Sequence, residues 1–414
     1  MISQALNSTY NLRSEAQNVS SPSMLSSILT SIGFGTTSAG SLANEKTALT
    51  LSSFYCGINI ICNDYAKLPK GVYQKTDNTR NAIQHPVKYL IDKRPNQYMT
   101  AFMFDSMIIK AAILKGNGYA YIQRNKVTAY PEALQLIDQE KTPVTVYKYQ
   151  DQLWYKYDGK TIPATDMLHI PGFSFNGITG VGVVTHAARS LGVNLASETF
   201  AAEYYDGKGV GTGVLTTTKS MTDTAKTRYS EALSAMFGKK AKWVVPIIDE
   251  ASKFEHIKVT PQEAQFLLSS EHGVNEVARW LNINPVKLGN IKDSNNSITE
   301  SLQIEHVSDS ILPWAIKVQQ EYDAKLFSKQ EIQNGIYTKF NTESLLAADK
   351  STQADYWSKL ILAGVYTRNE VRAMLELNSL DGLDEALTPV NTQTMEQIDA
   401  KLAELNKNLQ NAGQ

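Results

Sequence analysis

The glycine run Gly207-Lys208-Gly209-Val210-Gly211-Thr212-Gly213 has the composition of a phosphate-binding loop. Such a loop needs a strand before it and a helix N-terminus after it, so that backbone amides and the helix dipole face the anion. Here a long helical pattern comes first, a strand pattern follows, and the Gly-Lys-Ser/Thr ending is missing. The histidines are His85, His169, His186, His256, His272 and His306. None pairs with another His, Cys or carboxylate at metal-ligand spacing on a convincing helix face. His272 and Glu276 are four apart, a spacing common by chance on exposed helices. No nucleophile elbow or Ser-His-Asp signature is present. Cys56 and Cys62 have no partner cluster, which predicts buried thiols in a reducing compartment rather than a disulfide or a zinc site. No motif here points to a catalytic, cofactor or metal site.

Bulk properties narrow the class further. The chain has 414 residues, 42% hydrophobic and 20% charged, which is ordinary globular composition and enough for two or three domains. A net charge of −1 and a pI near 6.6 argue against gripping nucleic acid by bulk charge. No apolar run approaches the roughly 18 residues of a membrane span. The N-terminus lacks the basic-then-apolar pattern of a signal peptide, so synthesis in the cytosol is expected.

The elements follow from periodicity and capping. Residues 1 to 45 are rich in Ser, Thr, Asn and Gly and read as a flexible arm, with a short amphipathic stretch from Met24 to Phe34. Helices are expected near 49–66, 85–91 and 101–115, with strands at 72–74 and 119–122. Residues 134 to 170 are β-rich, and their interleaved aromatics and lysines read as cross-strand pairs rather than base-stacking surfaces. Val181 to Asp206 reads as one helix of about 26 residues, or roughly 39 Å. A compact α/β insertion follows, with its own apolar set Leu215, Leu233, Phe237, Trp243 and Val245. Thr260-Pro261-Gln262-Glu263 is a capping box with proline at the first helical position, and its helix closes at Arg279-Trp280-Leu281-Asn282-Ile283-Asn284-Pro285. Residues 290 to 296 have almost nothing to bury. Ser297-Ile298-Thr299-Glu300 is a second capping box, opening a long helix to about Phe327 that contains Pro313. Proline there removes a backbone bond and clashes one turn back, which predicts a kink. A strand at 337–340, a helix over 352–362 stopped at Gly364, and a capping box at Thr367-Arg368-Asn369-Glu370 follow. Met395 to Leu409 reads as a terminal helix with a thin apolar stripe.

In this order, the motifs resemble the HK97-type portal proteins of tailed bacteriophages. The residues that carry the resemblance are Val277 to Pro285 with Leu288-Gly289 behind them, the polar loop, the kinked helix, and above all Ala363-Gly364-Val365-Tyr366-Thr367-Arg368-Asn369-Glu370-Val371-Arg372. The likeness runs over roughly residues 50 to 390. It implies an α+β portal fold: a mixed wing domain (46–180 and 298–340), long stem helices (181–208 and 260–284), a small α/β clip (209–259), a tunnel loop (285–297) and a helical crown (341–414). It implies a dodecameric ring at one capsid vertex, through which double-stranded DNA enters during packaging and leaves at ejection. The implied partners are other copies of the chain, the large terminase, the major capsid protein and head-completion or adaptor proteins at the head-tail connector, with no membrane. The chain would be made in the host bacterial cytoplasm and end in the virion. Asn290, Lys292, Asp293, Asn295 and Asn296 would touch DNA in the channel, and Lys239, Lys240 and Lys242 would meet terminase or connector at the clip. Low net charge in the loop suits sliding, because a strong basic ring would hold phosphates through counterion release.

Two other classes fit the composition: a phage DNA-processing enzyme with a mixed α/β body, and an oligomeric adaptor without a channel. A clustered acidic metal site would favour the enzyme. Thin apolar stripes on long helices imply large intersubunit burial. Light scattering on purified protein should therefore give a mass many times 45.8 kDa. A stable monomer that does not assemble on raising protein or salt counts against the ring.

Overall fold

The computed structural model describes residues 17–18, 44–76, 79–205, 213–217, 222–224, 227, 252–256, 266–289, 296–345, 350–374 and 377–387. The expected N-terminal stretch 24–34, most of the insertion and the helix 395–409 lie outside them. The fold is α+β, and among the described residues every strand pair is antiparallel. The chain divides into two compact units, Met1–Leu345 and Leu346–Gln414.

The first unit opens with helix α1 (Ser52–Ala66), which buries Phe54, Ile58, Ile61, Cys62 and Tyr65 at helical spacing. Leu68-Pro69 ends it, since the residue before proline is pushed out of helical conformation. Strands β1 (Lys70–Thr76) and β2 (Thr79–Ala82) form a hairpin. Helix α2 (Pro86–Asp92) starts on a histidine cap: His85 Nδ1 accepts from the Val87 N–H at 3.3 Å. That bond leaves the proton on Nε2, which donates to Glu331 at 3.0 Å. Helix α3 (Ala101–Leu114) is capped by Thr100 and runs into β3 (Asn117–Arg124). Strand β3 lies between β4 (Pro131–Leu136) and β8 (Met167–Pro171), while β5 (Thr145–Tyr149), β6 (Gln152–Tyr157) and β7 (Lys160–Pro163) form a separate meander, whose β5 edge pairs with Gln17–Asn18 of the expected flexible arm. Of the aromatics here Tyr119 and Tyr155 are core, in one buried cluster with Ile137, Val146 and Met167, whereas Tyr147, Tyr149, Trp154 and Tyr157 are half-buried.

Between α3 and β3 the backbone turns at Gly116, whose φ of 86° and contact with residues 180–182 leave no room for a Cβ. Asn117 then ties this turn to the chain 63 residues on, donating from Nδ2 to Gly180 O and accepting from the Gly180 N–H, both at 2.8 Å. This close approach corrects one expectation. Val181 is not helical but paired with Phe173, Val183–His186 is a single turn, and helix α4 spans only Ala188–Tyr205. Its 18 residues rise about 27 Å. The cause is Gly182, held so near Leu114 O that the chain must arrive extended.

Of the insertion, the hairpin β9 (Gly213–Thr217) and β10 (Ser252–His256) is described. Helix α5 (Phe266–Leu281) returns against α4, with Gly273 set against Asn194, whose Nδ2 donates to Gly273 O at 3.2 Å. The long helix comprises α6 (Asn296–Glu305), a π-helical segment (His306–Ile311) and α7 (Leu312–Leu326). It starts at Asn296, so Ser297 lies inside it rather than capping it. Strand β11 (Ile336–Phe340) closes the unit by pairing with β1. The main core joins α1, α3, β3, β8, α5, α7 and β11. Cys62 is buried and its thiol is pushed up to about 12 by that burial, against the pull of Lys110; Cys56 is only half-buried, contrary to expectation, because it lies off the apolar face.

The second unit contains α8 (Lys350–Leu362) and α9 (Arg368–Met374). Gly364, at φ 71°, ends α8. The Thr367/Glu370 capping box forms in both directions, at 2.8 and 3.1 Å. Asn369 is buried; its amide donates to Leu380 O and Asp384, both at 2.8 Å, and its Oδ1 accepts from the Leu380 N–H. The sequence motif is thus a helix start that also pins the following loop.

Candidate functional site

The residues of interest surround the polar stretch 290–295, and the structure fixes both of its ends. On the near side α5 terminates in a Schellman motif. Asn282 takes the left-handed conformation (φ 53°), its N–H donates to Arg279 O at 3.2 Å, and the Ile283 N–H donates to Ala278 O at 2.9 Å. Asn284 then caps a 3-10 turn, Pro285–Leu288, accepting from the Val286 N–H, and Gly289 at φ 91° ends that turn. Asn282, Asn284 and Pro285 therefore each have a local reason, while Ile283 is buried in the main core. On the far side α6 begins at Asn296. Lys287 Nζ donates to Gln303 Oε1 at 2.7 Å, bridging the two sides, and Gln303 Nε2 donates to Leu345 O at 3.0 Å. Burial lowers the Lys287 pKa from its ordinary value, partly offset by Asp64.

The long helix is held where its geometry changes. Pro313 lies in the first turn of α7, directly after the π segment, and Leu312 N–H donates five residues back to Val307 O. Proline has no N–H to offer Asp309 O, four residues earlier. Asn282 supplies the donor instead, from Nδ2 at 3.1 Å, and Ser310 Oγ donates to Asn282 O. His306, fully buried, donates from Nε2 to Asp64 Oδ2 on α1 at 3.1 Å. A cleft of about 460 Å³ lies between α5 and the π segment, lined by Asn275, Arg279, Asn284, Glu305 and Asp309 among others. Beyond Pro313, Lys317 donates to Pro171 O and Gly172 O, and Lys325 to Met167 O, so α7 is fastened to β8.

Charges near these ends are largely paired: Arg279 with Glu276, Lys67 with Asp64. Glu276 is therefore engaged by Arg279, not by His272. Among the described residues no group of His, Cys, Asp and Glu could hold a metal, and no helix is long and apolar enough to cross a membrane. His169 is buried between Tyr155 and Asn117 at 3.0 and 2.9 Å; burial pushes its pKa down to about 3, with Lys325 adding to the effect, so it is neutral.

Of the residues singled out in the sequence, Asn296 opens α6 and Pro313 follows the π segment. Asn290, Lys292, Asp293 and Asn295 lie outside the described residues, as do Lys239, Lys240 and Lys242. So does most of the glycine run, of which Gly213 begins β9.

A model of the family described as phage portal protein matches residues 52–376. The chain belongs to the phage portal protein family. It is 24% identical over 354 residues to the portal protein of Enterobacteria phage HK97, covering 83% of this chain and 82% of that one. It is 22% identical over 364 residues to the probable portal protein of Streptomyces phage phiC31, covering 84% and 79%. The crystal structure of an HK97-family phage portal protein from Corynebacterium diphtheriae has the same fold, with a TM-score of 0.56 at 15% identity over 74% of this chain and 99% of that one. A chain from the neck of an empty gene transfer agent particle gives 0.54 at 16% identity, over 85% and 98%. The family match thus spans α1 through α9, including both ends of the 290–295 stretch.

Sequence reading missed the polar side chains that hold this portal fold together. Asn117, Asn282 and Asn369 each fasten a loop, and His306 and Asp64 link helices far apart in sequence. The available signal was their type: asparagine beside glycine or at a helix end can satisfy backbone groups that a turn leaves free. Burial raises the Asp64 pKa, but bonds from His306 and Lys67 win and bring it from 3.8 to about 2. A depressed carboxylate stabilises the fold above its unfolded value and loses that contribution as pH falls through the folded one. Asp64→Asn should therefore destabilise the protein at neutral pH by about 1–3 kcal/mol. The gap from wild type should close between pH 4 and pH 2. Equilibrium unfolding across pH measures it; a gap independent of pH contradicts the ionic role.

Proposed function

We propose that this chain forms the portal ring at one vertex of a phage capsid, the passage for double-stranded DNA during packaging and ejection. Family membership over most of the chain supports the reading. The carrying observation is the construction around residues 290–295: a short polar stretch bracketed by a capped turn, a bridging Lys287–Gln303 bond and a long helix anchored to the core. Such a frame can hold a low-charge loop at a fixed place in a ring while leaving it free to make exchangeable contacts.

In this reading the wing comprises 46–180 and 298–340, the stem 181–208 and 260–284, the clip 209–259, the tunnel loop 285–297 and the crown 341–414. Pro313, together with the π segment, kinks the wing helix. Asn290, Lys292, Asp293, Asn295 and Asn296 face DNA in a dodecameric channel. Lys239, Lys240 and Lys242 meet the large terminase during packaging and head-completion proteins afterwards. The major capsid protein surrounds the ring, and the chain itself carries out no catalysis.

Replacing Asn290 to Asn296 by a short Gly-Ser linker should leave ring assembly and thermal stability nearly unchanged and should impair packaging or retention of DNA. Electron microscopy of rings and packaged DNA per capsid give the paired readout. Rings that fill and hold DNA like wild type sink the channel-contact role. Failure to form rings makes the loop structural instead.

A further inference from the structure

The second unit leaves most of its apolar side chains uncovered. Among its described residues Val371 is the one buried apolar side chain. Helix α8 shows the deficit most clearly. It has 13 residues, and none of those from Ala354 to Leu362 is buried. A helix of that length is marginal in water and takes its stability from a packed apolar face. On one side of α8, Trp357 meets Tyr366 edge-on, with ring centroids 5.9 Å apart. The neighbouring strip is Tyr356, Leu360 and Ala363, spaced i, i+4, i+7 and so on one face. Tyr356 is 50% exposed, Leu360 half-buried and Ala363 exposed.

The course of the chain points to what covers this strip. The carbonyl of Leu387, the last described residue, lies against Gly364 at the end of α8. Residues 388–394 then lead to Met395. Fully extended, that connection spans about 25 Å, more than the roughly 20 Å length of α8. From Met395 onward, Met395, Ile398, Leu402, Leu405 and Leu409 recur at steps of three and four, with only polar residues and alanine between them. Such a seam is wide enough to cover one helix and too narrow to make a core. Over 395–409 it would be about 22 Å long, close to the length of α8.

We propose that residues 395–409 form a helix that docks on α8 of the same chain, its seam lying along Tyr356, Leu360 and Ala363. The short connection favours the same chain over another copy, because it holds the seam near α8 at an effective concentration of about millimolar. The docking does not rest on the portal reading, and the segment lies beyond residue 376, where the family match ends.

A benzophenone amino acid at Ala403, beside the seam, tests it in the full chain. After irradiation the product is run on a denaturing gel and its crosslinked peptides are mapped by mass spectrometry. The expected crosslink joins position 403 to the peptide holding Tyr356 to Ala363 and runs at monomer mass. A product of dimer mass assigns the seam to another copy and overturns the proposal. A crosslink that maps outside α8, or none, overturns it as well. Hydrogen exchange supplies the second readout. Leu402→Glu should speed exchange of the α8 amides about tenfold or more and leave those of α1 unchanged. Unchanged exchange in α8 shows that the helix does not depend on the seam and contradicts the docking.

Discussion

The pairing of β11 with β1 is the constraint on which the first unit depends. Tyr337 lies opposite Tyr73 and Phe340 opposite Lys70, and Gln74 donates to Asn334 O, 260 residues away in sequence. Around this seam Asp323 accepts from both the N–H and the hydroxyl of Thr338 at 2.7 Å, and Phe340 packs on Tyr65 and Tyr322. Lys70, the first residue of β1, is buried in an ion pair with Asp105 of α3. A buried pair of this kind is poor evidence of stability, but removing one partner strands a charge. Closing so long a chain is costly in entropy and slow, so the segment between must leave the core and come back along defined paths.

Those paths explain the architecture. Helices α4 and α5 form one excursion, close enough at Gly273 for Asn194 to reach the opposite backbone. The turn at Gly289 and the start of α6 form the other. Both return to α1, which meets α5 through Leu281 at Gly57 and the π segment through Asp64. The first unit is therefore an α+β body to whose core helices α4, α5 and α6 are anchored.

Much of this was legible in the sequence because it is local. Caps at Thr100 and Thr367, the apolar face of α1, proline after α1 and glycine after α8 act within a few residues, and their types announce them. The start of α4 was not legible, because Gly182 is extended only where Leu114 crosses it, and that crossing is tertiary. The π segment was hidden for a similar reason. Pro313 signals a disturbed helix, but Asn282, 31 positions earlier by number, decides how Asp309 O is satisfied. At the site, residue types in 290–296 gave polarity and low charge, and 290–295 lie outside the described residues.

In the proposed ring, residues 290–296 would line the narrowest part of the DNA path. A photocrosslinking amino acid placed at Lys292, in particles filled with DNA, tests it most directly. Val127, 93% exposed on a turn of the β3–β4 hairpin, serves as the comparison position. The account predicts crosslinks to packaged DNA from position 292 and none from position 127. Crosslinks absent at 292 but present at 127 would contradict it.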